Sequence, residues 1–324
     1  MSTFTQVIAA LKQAKRILIG SHYNPDGDAL GSAAALGIAL ERQGKKVTFF
    51  NRDPVPFNLT FLPHADRFVR TLPKDASFDT VVIVDCNAAK RVGGDFEKAI
   101  KGTRVICIDH HQLEKTEGDL TILEPDAAAT GVLIMRFLEE AKIPLDRILA
   151  TCLFCAITVD TGSFRYSNAT PDVFLLGAKL VKAGADPYEI SKALEENYPA
   201  KRYRLLAKSL ATLQVDEQLG IASIDVTQQM FKETGTGPDL TEEFSSFPRS
   251  IRGVEVALFF RELPDGRLKV SMRSKGHVDV AKIAAGFGGG GHVHAAGCTF
   301  EGDAAIARKK LYAALAAAIG KKGT

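Results

Sequence analysis

No apolar stretch in this 324-residue chain reaches the length of a membrane-spanning helix, so no membrane association is expected. The N-terminal MSTFTQVIAALKQAKR lacks the plan of a signal peptide. It reads as an amphipathic helix with Phe4, Val7, Ile8 and Leu11 on one face. Neither charge dominates: 41 basic and 38 acidic residues leave +3. That is too balanced for a binder of bulk polyanions, so any nucleic-acid contact should be local. Cysteine is scarce and odd in number. Cys86, Cys107, Cys152, Cys155 and Cys298 sit mostly inside apolar runs and read as reduced core thiols, which points to a cytoplasmic setting. Cys152 and Cys155 form a C-x-x-C, but no basic or redox loop surrounds them, and core packing is the better reading. There is no Walker loop, no G-x-S-x-G elbow, no internal repeat and no low-complexity tail. What remains is an ordinary globular composition, 46% hydrophobic and 24% charged, long enough for about two domains.

Three short apolar runs each end in metal-type ligands. Arg16–Gly20 (RILIG) leads into Ser21-His22-Tyr23-Asn24-Pro25-Asp26-Gly27-Asp28, Val81–Val84 into Asp85, and Val105–Ile108 into Asp109-His110-His111. Buried parallel strands read as continuous Val/Ile/Leu runs, and open parallel sheets carry their chemistry at the carboxyl ends of the strands. These residues are therefore expected to converge. Carboxylates and imidazoles crowded together repel or mis-titrate unless a cation neutralises them, so a centre of two divalent metals is expected.

The first half alternates strand and helix. A small-residue-rich helix follows Asp28 and ends near Gly44. A strand at Lys45–Asn51 comes next, with a helical piece at Phe96–Lys101. Helices are expected at Thr130–Lys142, at Asp146–Val159 (delivering Asp160), and from Pro171 to Gly184. This alternation argues for an α/β fold with a doubly wound, mainly parallel sheet over residues 1–185. Residues 186–213 read as a charged helical connector, interrupted by Pro199. Residues 214–324 read as a smaller α/β domain with a hairpin at Pro264-Asp265-Gly266.

Asp26 and Asp28 stand two apart around Gly27 and can face different directions, which suits one residue to each of two metals. Asp85 is the natural bridging carboxylate. In Asp109-His110-His111 one imidazole can ligate while the other acts on substrate, with Asp109 holding a tautomer behind it. Asp160 follows ten largely apolar residues at a helix end where an unpaired carboxylate is disfavoured, and a metal supplies the reason. Oxygen-rich ligation with imidazoles and no thiolate points to Mn2+ or Mg2+ rather than structural zinc. In the second domain Arg273 and Ser274 end a strand with groups suited to phosphate. The glycines of Gly286–Gly297, Gly289, Gly290 and Gly291 among them, can expose successive amides as an anion nest, with His292 and His294 adding donors. Phe164 or Tyr166 could stack a base or simply pack. Lys201, Arg202, Arg204 and Lys208 read as a solvated face, and His64 and His277 as structural.

These motifs resemble those of the DHH phosphoesterase superfamily. HYNPDGDALGS, VVIVDCN, VICIDHHQ and ITVDTGSFRYSN occur in that family's order. SMRSKGHVDVAKIAAGFGGGGHVHAAG is similar to the DHH-associated domain of its exonuclease-like, RecJ-like branch. The arrangement looks most like the bacterial nanoRNase/pAp phosphatase group. The resemblance implies that His22, Asp26 and Asp85 hold one Mn2+, and that Asp28, Asp85, His110 and Asp160 hold the other. It implies His111 beside the scissile phosphate, with Arg273, Ser274 and His292 gripping the substrate and the active site in the cleft between the two domains. Expected substrates are short single-stranded RNA, pAp or dinucleotides. A cyclic or linear dinucleotide phosphodiesterase is the alternative, and a catalytically dead nucleotide sensor or RNA-binding protein is an alternative of another class. No stable protein partner is expected beyond a homodimer.

Overall fold

The computed structural model describes residues 2–73, 75–111, 117–301 and 304–320, with the side chains of His292 and Ala304 outside that set. It divides into two units, Met1–Asn197 and Tyr198–Thr324.

The first unit is built on six strands: β1 (Arg16–Gly20), β2 (Lys46–Phe50), β3 (Phe68–Val69), β4 (Thr80–Val84), β5 (Arg104–Asp109) and β6 (Leu120–Leu123). All are parallel, in the order β3-β2-β1-β4-β5-β6. Every residue of β4 is buried, as a central parallel strand covered on both faces requires. The chain starts at β1 and winds outward in one direction, then returns to β4 and winds in the other. The boundary between β1 and β4 is thus the switch point at which ligands of such sheets bind.

Helices cover both faces: α1 (Phe4–Gln13), α2 (Gly27–Arg42), the short α3 (Ala89–Val92) and α4 (Phe96–Ala99), α5 (Thr130–Glu140), α6 (Arg147–Asp160), α7 (Pro171–Lys182) and α8 (Pro187–Glu195). Fourteen consecutive residues of α2, Gly27 to Leu40, are buried. Its small residues explain how. A Cβ on Gly31 would stand 2.5 Å from the Cys152 carbonyl oxygen of α6, and one on Gly27 would stand 2.4 Å from Val159 Cγ2. On α5, a Cβ at Gly131 would meet Ala156 of α6 at 2.7 Å. Small side chains let the three helices approach closely, and the ends of these helices carry Asp26, Asp28, Thr130 and Asp160. All five cysteines are buried free thiols, in keeping with core packing for Cys152 and Cys155.

The second unit starts with α9 (Ala200–Leu210) and holds a mixed sheet of β7 (Gln214–Asp216), β8 (Ile221–Val226), β9 (Val256–Glu262), β10 (Leu268–Ser274), β11 (Gly290–His292) and β12 (Ala295–Phe300). The order is β11-β12-β10-β9-β8-β7, with only β8–β9 parallel. Helices α10 (Gln228–Thr234), α11 (Ser246–Arg249), α12 (Val280–Ala285) and α13 (Ala304–Ile319) complete it. The Pro264-Asp265-Gly266 turn joins β9 to β10 as the hairpin signal indicates. The stretch read as one connector is two helices, α8 in the first unit and α9 in the second. The basic face read on α9 is not uniformly solvated. Arg202 is buried, its guanidinium 3.7 Å over the Tyr198 ring, and it donates to the Glu242 carbonyl at 2.6 Å. Among the described residues, no helix is long and apolar enough to cross a membrane.

Replacing Gly31 with valine should cost about 1–3 kcal/mol by overpacking the contact between α2 and α6. Thermal unfolding checks it, and an unchanged midpoint would contradict the close approach of the two helices.

Candidate metal centre

The loop after β1 positions the first ligands. His22 Nδ1 lies 2.9 Å from the Tyr23 carbonyl oxygen, so this nitrogen carries the proton and donates. Nε2 is thereby turned to Asp85, 3.2 Å from Oδ2. Asn24 adopts φ +51°, and Asp26 follows as the N-cap of α2, accepting from the amides of Asp28 and Ala29 at 3.1 and 3.0 Å. The turn-and-cap chemistry of NPDGD is therefore present, and it operates together with convergence on Asp85.

Asp85 ends β4 with φ +57°, a left-handed conformation that is uncommon for a residue with a side chain and is held here within a packed core. Its Oδ1 accepts from Thr130 Oγ1 at 2.9 Å. Asp28 is wholly buried and accepts from the backbone amides of Thr130 (2.6 Å) and Gly131 (2.9 Å) and from Ser32 Oγ (2.9 Å). The N-terminus of α5 has no cap of its own at Ala129, and Asp28 satisfies its amides from another helix. Sequence reasoning missed Thr130 and Ser32. The one available signal is a helix opening after three alanines, with no capping side chain before it.

The tip of β5 brings the imidazoles. His110 Nδ1 donates to the Ala127 carbonyl at 3.0 Å, which leaves Nε2 3.0 Å from Asp160 Oδ2, 3.6 Å from Asp85 Oδ1 and 3.7 Å from Asp28 Oδ2. His111 donates from Nδ1 and from its backbone amide to Asp109 Oδ1, at 2.6 and 3.1 Å. Its Nδ1 also lies 3.7 Å from Asp85. Asp109 is buried, and its Oδ2 has no hydrogen-bond partner among the described residues. Asp160 arrives from the end of α6. Beyond it Gly162, Ser163 and Phe164 are all left-handed, a turn held by the Ser163 amide on the Thr158 carbonyl at 2.7 Å and the Phe164 amide on Thr161 Oγ1 at 3.0 Å. Phe164 packs between Phe154 and Phe174, and Tyr166 lies against Gly162 with its ring partly exposed. Packing is thus the reading for Phe164.

Three sets of donor atoms result, each lying within 4.8 Å of one another: His22 with Asp26 and Asp85, Asp28 with His110 and Asp160, and Asp85 with His110 and His111. Ligand atoms about 2.1 Å from a small divalent cation stand about 3 Å apart when adjacent and about 4.2 Å when opposite. The separations of 3.2 Å for His22 to Asp85 and of 3.6 and 3.7 Å for His110 to Asp85 and Asp28 fall in that range, and Asp85 belongs to two of the sets.

The electrostatics point the same way. Burial opposes a charged His22, but the Asp85 hydrogen bond and the Asp26 and Asp85 charges push it up to about 9. His110 is pushed up to about 11, against its burial, by the Asp160 hydrogen bond and the charges of Asp28, Asp160 and Asp85. Burial and the Asp26 and Asp85 charges raise Asp160 to about 6, although the His110 hydrogen bond opposes them. Burial with the Asp85 and Asp160 charges holds Asp28 well above the usual carboxylate range. Asp85 is lowered despite its burial, by the His22 hydrogen bond and the His22, His111 and His110 charges. Protons thus take the place that cations fill in such a donor set.

In the second unit, Arg273 NH1 donates to the Met272 carbonyl at 3.1 Å. Ser274, expected at the substrate, is buried. Its hydroxyl lies 3.0 Å from His294 Nδ1, and its amide donates to the His294 carbonyl. It anchors His294 to the end of β10. The glycine run is not an open amide nest throughout. Gly290 and Gly291 pair with Gly297 and Ala296 as strand β11, because a Cβ at Gly291 would meet the Ala295 carbonyl oxygen at 2.4 Å. The His292 side chain lies outside the described set.

Comparison with known proteins identifies the family of the chain. Residues 16–157 match the model of the DHH family, N-terminal domain, and residues 223–321 match the DHHA1 domain. The chain is 33% identical over 286 residues to the bifunctional oligoribonuclease and PAP phosphatase NrnA of Thermus thermophilus, covering 88% of this chain and 84% of that protein. It is 25% identical to the cyclic-di-AMP phosphodiesterase GdpP of Geobacillus thermodenitrificans, over 87% of this chain and 44% of that one. The crystal structure of an exopolyphosphatase-related protein from Bacteroides fragilis superposes with a TM-score of 0.91 at 27% identity, covering 98% and 96% of the two chains.

With His22 at about 9 and His110 at about 11, both imidazoles hold a proton at neutral pH when no metal is bound. A cation must displace those protons, so its affinity should rise with pH from neutrality through about pH 9, with up to about two protons released per chain. Titration calorimetry with Mn2+ in buffers of different ionisation enthalpy measures the release. Binding without any proton release would contradict this ligand assignment.

Proposed function

The chain belongs to the DHH family, with a DHHA1 domain in its second unit, and from that premise we propose a two-metal phosphoesterase of short oligoribonucleotides and pAp. It would release mononucleotides from the RNA and remove the 3′-phosphate of pAp. The observation that carries this reading is the place of Asp85 at the β1/β4 switch point, grouped with His22 and Asp26 and 3.6 Å from the His110 Nε2 of the group formed with Asp28 and Asp160. His22, Asp26 and Asp85 would hold one cation, and Asp28, Asp85, His110 and Asp160 the other, with Mn2+ favoured and Mg2+ a substitute. Two such cations, when bound, activate water and stabilise the attacking and leaving oxygens of a phosphoryl displacement.

The chain's own residues do the rest. The backbone carbonyls of Tyr23 and Ala127 hold His22 and His110 in the tautomer that offers Nε2 inward. Asp109 holds the Nδ1 proton of His111, so that His111 presents Nε2 as the group for a phosphate oxygen or a leaving group. Thr130 binds Asp85 by its hydroxyl and Asp28 by its amide, fixing two carboxylates at once. Arg273 and His292 would grip the substrate's phosphates, while Ser274 keeps His294 in place and the Gly289 amide is spent on the Ala284 carbonyl at 2.8 Å. Similarity to the GdpP phosphodiesterase favours a second reading, hydrolysis of cyclic-di-AMP or its linear product pApA at the same centre.

Incubation with Mn2+ and pAp, pApA, a five-nucleotide RNA, a 24-nucleotide RNA and cyclic-di-AMP separates these readings by the products on chromatography. Rapid mononucleotide release from the short RNA, with AMP and phosphate from pAp, is expected. Faster cleavage of cyclic-di-AMP than of RNA would transfer the assignment to the second reading. His110→Ala should lower turnover by at least about 100-fold while the thermal unfolding transition stays cooperative. Undiminished activity in that variant would refute the site.

A further inference from the structure

The sheet of the second unit has two unlike faces. Along β10, Leu268, Val270, Met272 and Ser274 are buried, and Lys269, Ser271 and Arg273 alternate with them, half-buried. The buried face packs with Val280, Ala284, Leu311 and Leu315 of α12 and α13. On the other face the strand register makes three rows. Arg261 of β9 stands beside Lys269 and then Thr299 of β12. Phe259, Ser271 and Gly297 make the second row, and Ala257, Arg273 and Ala295 the third; Phe259 and Ala257 are buried, Phe259 among Leu205, Phe231 and Phe244, so the accessible positions of these two rows lie on β10 and β12. None of these nine positions is a carboxylate.

The charges on this face call for a reason. Like charges directly opposite on neighbouring strands are destabilising, yet Arg261 and Lys269 are such a pair. Burial lowers both from their ordinary values, and the Arg261 charge lowers Lys269 further. Arg261 is fixed by donating to Thr241 Oγ1 at 3.1 Å and to the Pro238 carbonyl at 3.3 Å, and its buried Nε has no hydrogen-bond partner among the described residues. Beside these cations Ala295 and Gly297 leave a floor of small residues. Lys269 and Arg273 are four residues apart, about 13 Å along the strand. That is a span of about two nucleotides of an extended single strand.

We propose that Lys269, backed by Arg261 and the Ser271 and Thr299 hydroxyls, is a second phosphate station for single-stranded RNA, about two nucleotides from the phosphate held at Arg273. The proposal rests on the reading of Arg273 as a substrate residue. The station gives this sheet face a sensitivity to chain length: a dinucleotide does not reach it, and a five-nucleotide RNA does.

The test compares kcat/KM of the full chain with Mn2+ on a dinucleotide, a trinucleotide and a five-nucleotide RNA. Lys269→Gln should lose about tenfold on the five-nucleotide RNA, mainly through KM, with a salt dependence shallower by about one phosphate contact. The loss should shrink to about twofold on the dinucleotide, and Lys269→Arg should restore most of the activity. Lys310→Gln, on an exposed part of α13 against the opposite face, should match the unaltered protein. Equal losses at all lengths, or no loss on the five-nucleotide RNA, would overturn the station. If the unaltered chain cleaves no RNA, the proposed function fails. Binding of a fluorescein-labelled five-nucleotide RNA to the same variants then decides: weaker binding by Lys269→Gln supports the station, and equal binding overturns it.

Discussion

The fold gathers buried carboxylates against their own repulsion, and most of its first unit serves to hold them there. Asp28 and Asp85 are almost wholly withdrawn from water, and Asp160 stands nearby. Isolated carboxylates in such surroundings would protonate or push apart. Partial neutralisation comes from three imidazoles, from the Thr130 and Gly131 amides at the N-terminus of α5, and from the Thr130 and Ser32 hydroxyls. These groups make the cluster tolerable without discharging it. The divalent cations proposed for this centre would complete the balance.

Three features of ordinary chain chemistry build the cluster. Parallel strands end together, so His22, Asp85 and His110 emerge at one edge of the sheet. Glycine and alanine at Gly27, Gly31, Gly131 and Ala156 let α2, α5 and α6 touch, which draws Asp28 and Asp160 in from helix ends. Backbone carbonyls of residues with no chemistry of their own, Tyr23 and Ala127, select the tautomers. Substitutions at Gly31 or Ala156 would therefore reach the centre without touching a ligand.

Much of the convergence was legible in the sequence, because an apolar run that stops at His or Asp reads as a strand with a candidate ligand at its tip. The three strand tips and the helix ending at Asp160 belong to that class. The supporting groups were not legible, since they act across long separations: Asp28 caps a helix that begins 102 residues later. Short elements such as β3 and β6 were missed because two to four residues carry too little periodicity. The glycine run misled in part. Its freedom was read as an amide nest, and two of its glycines instead permit close strand pairing. Arg202 reads as a surface cation on its helix, and only the tertiary contacts with Tyr198 and Phe244 bury it.

The most direct measurement is the number of Mn2+ ions bound per chain, by equilibrium dialysis with electron paramagnetic resonance on the same samples. Two ions with the broadened signal of an exchange-coupled pair are expected, and Asp85→Asn should abolish the coupling. A single ion, or two uncoupled ions indifferent to Asp85, would contradict a centre in which that carboxylate is shared.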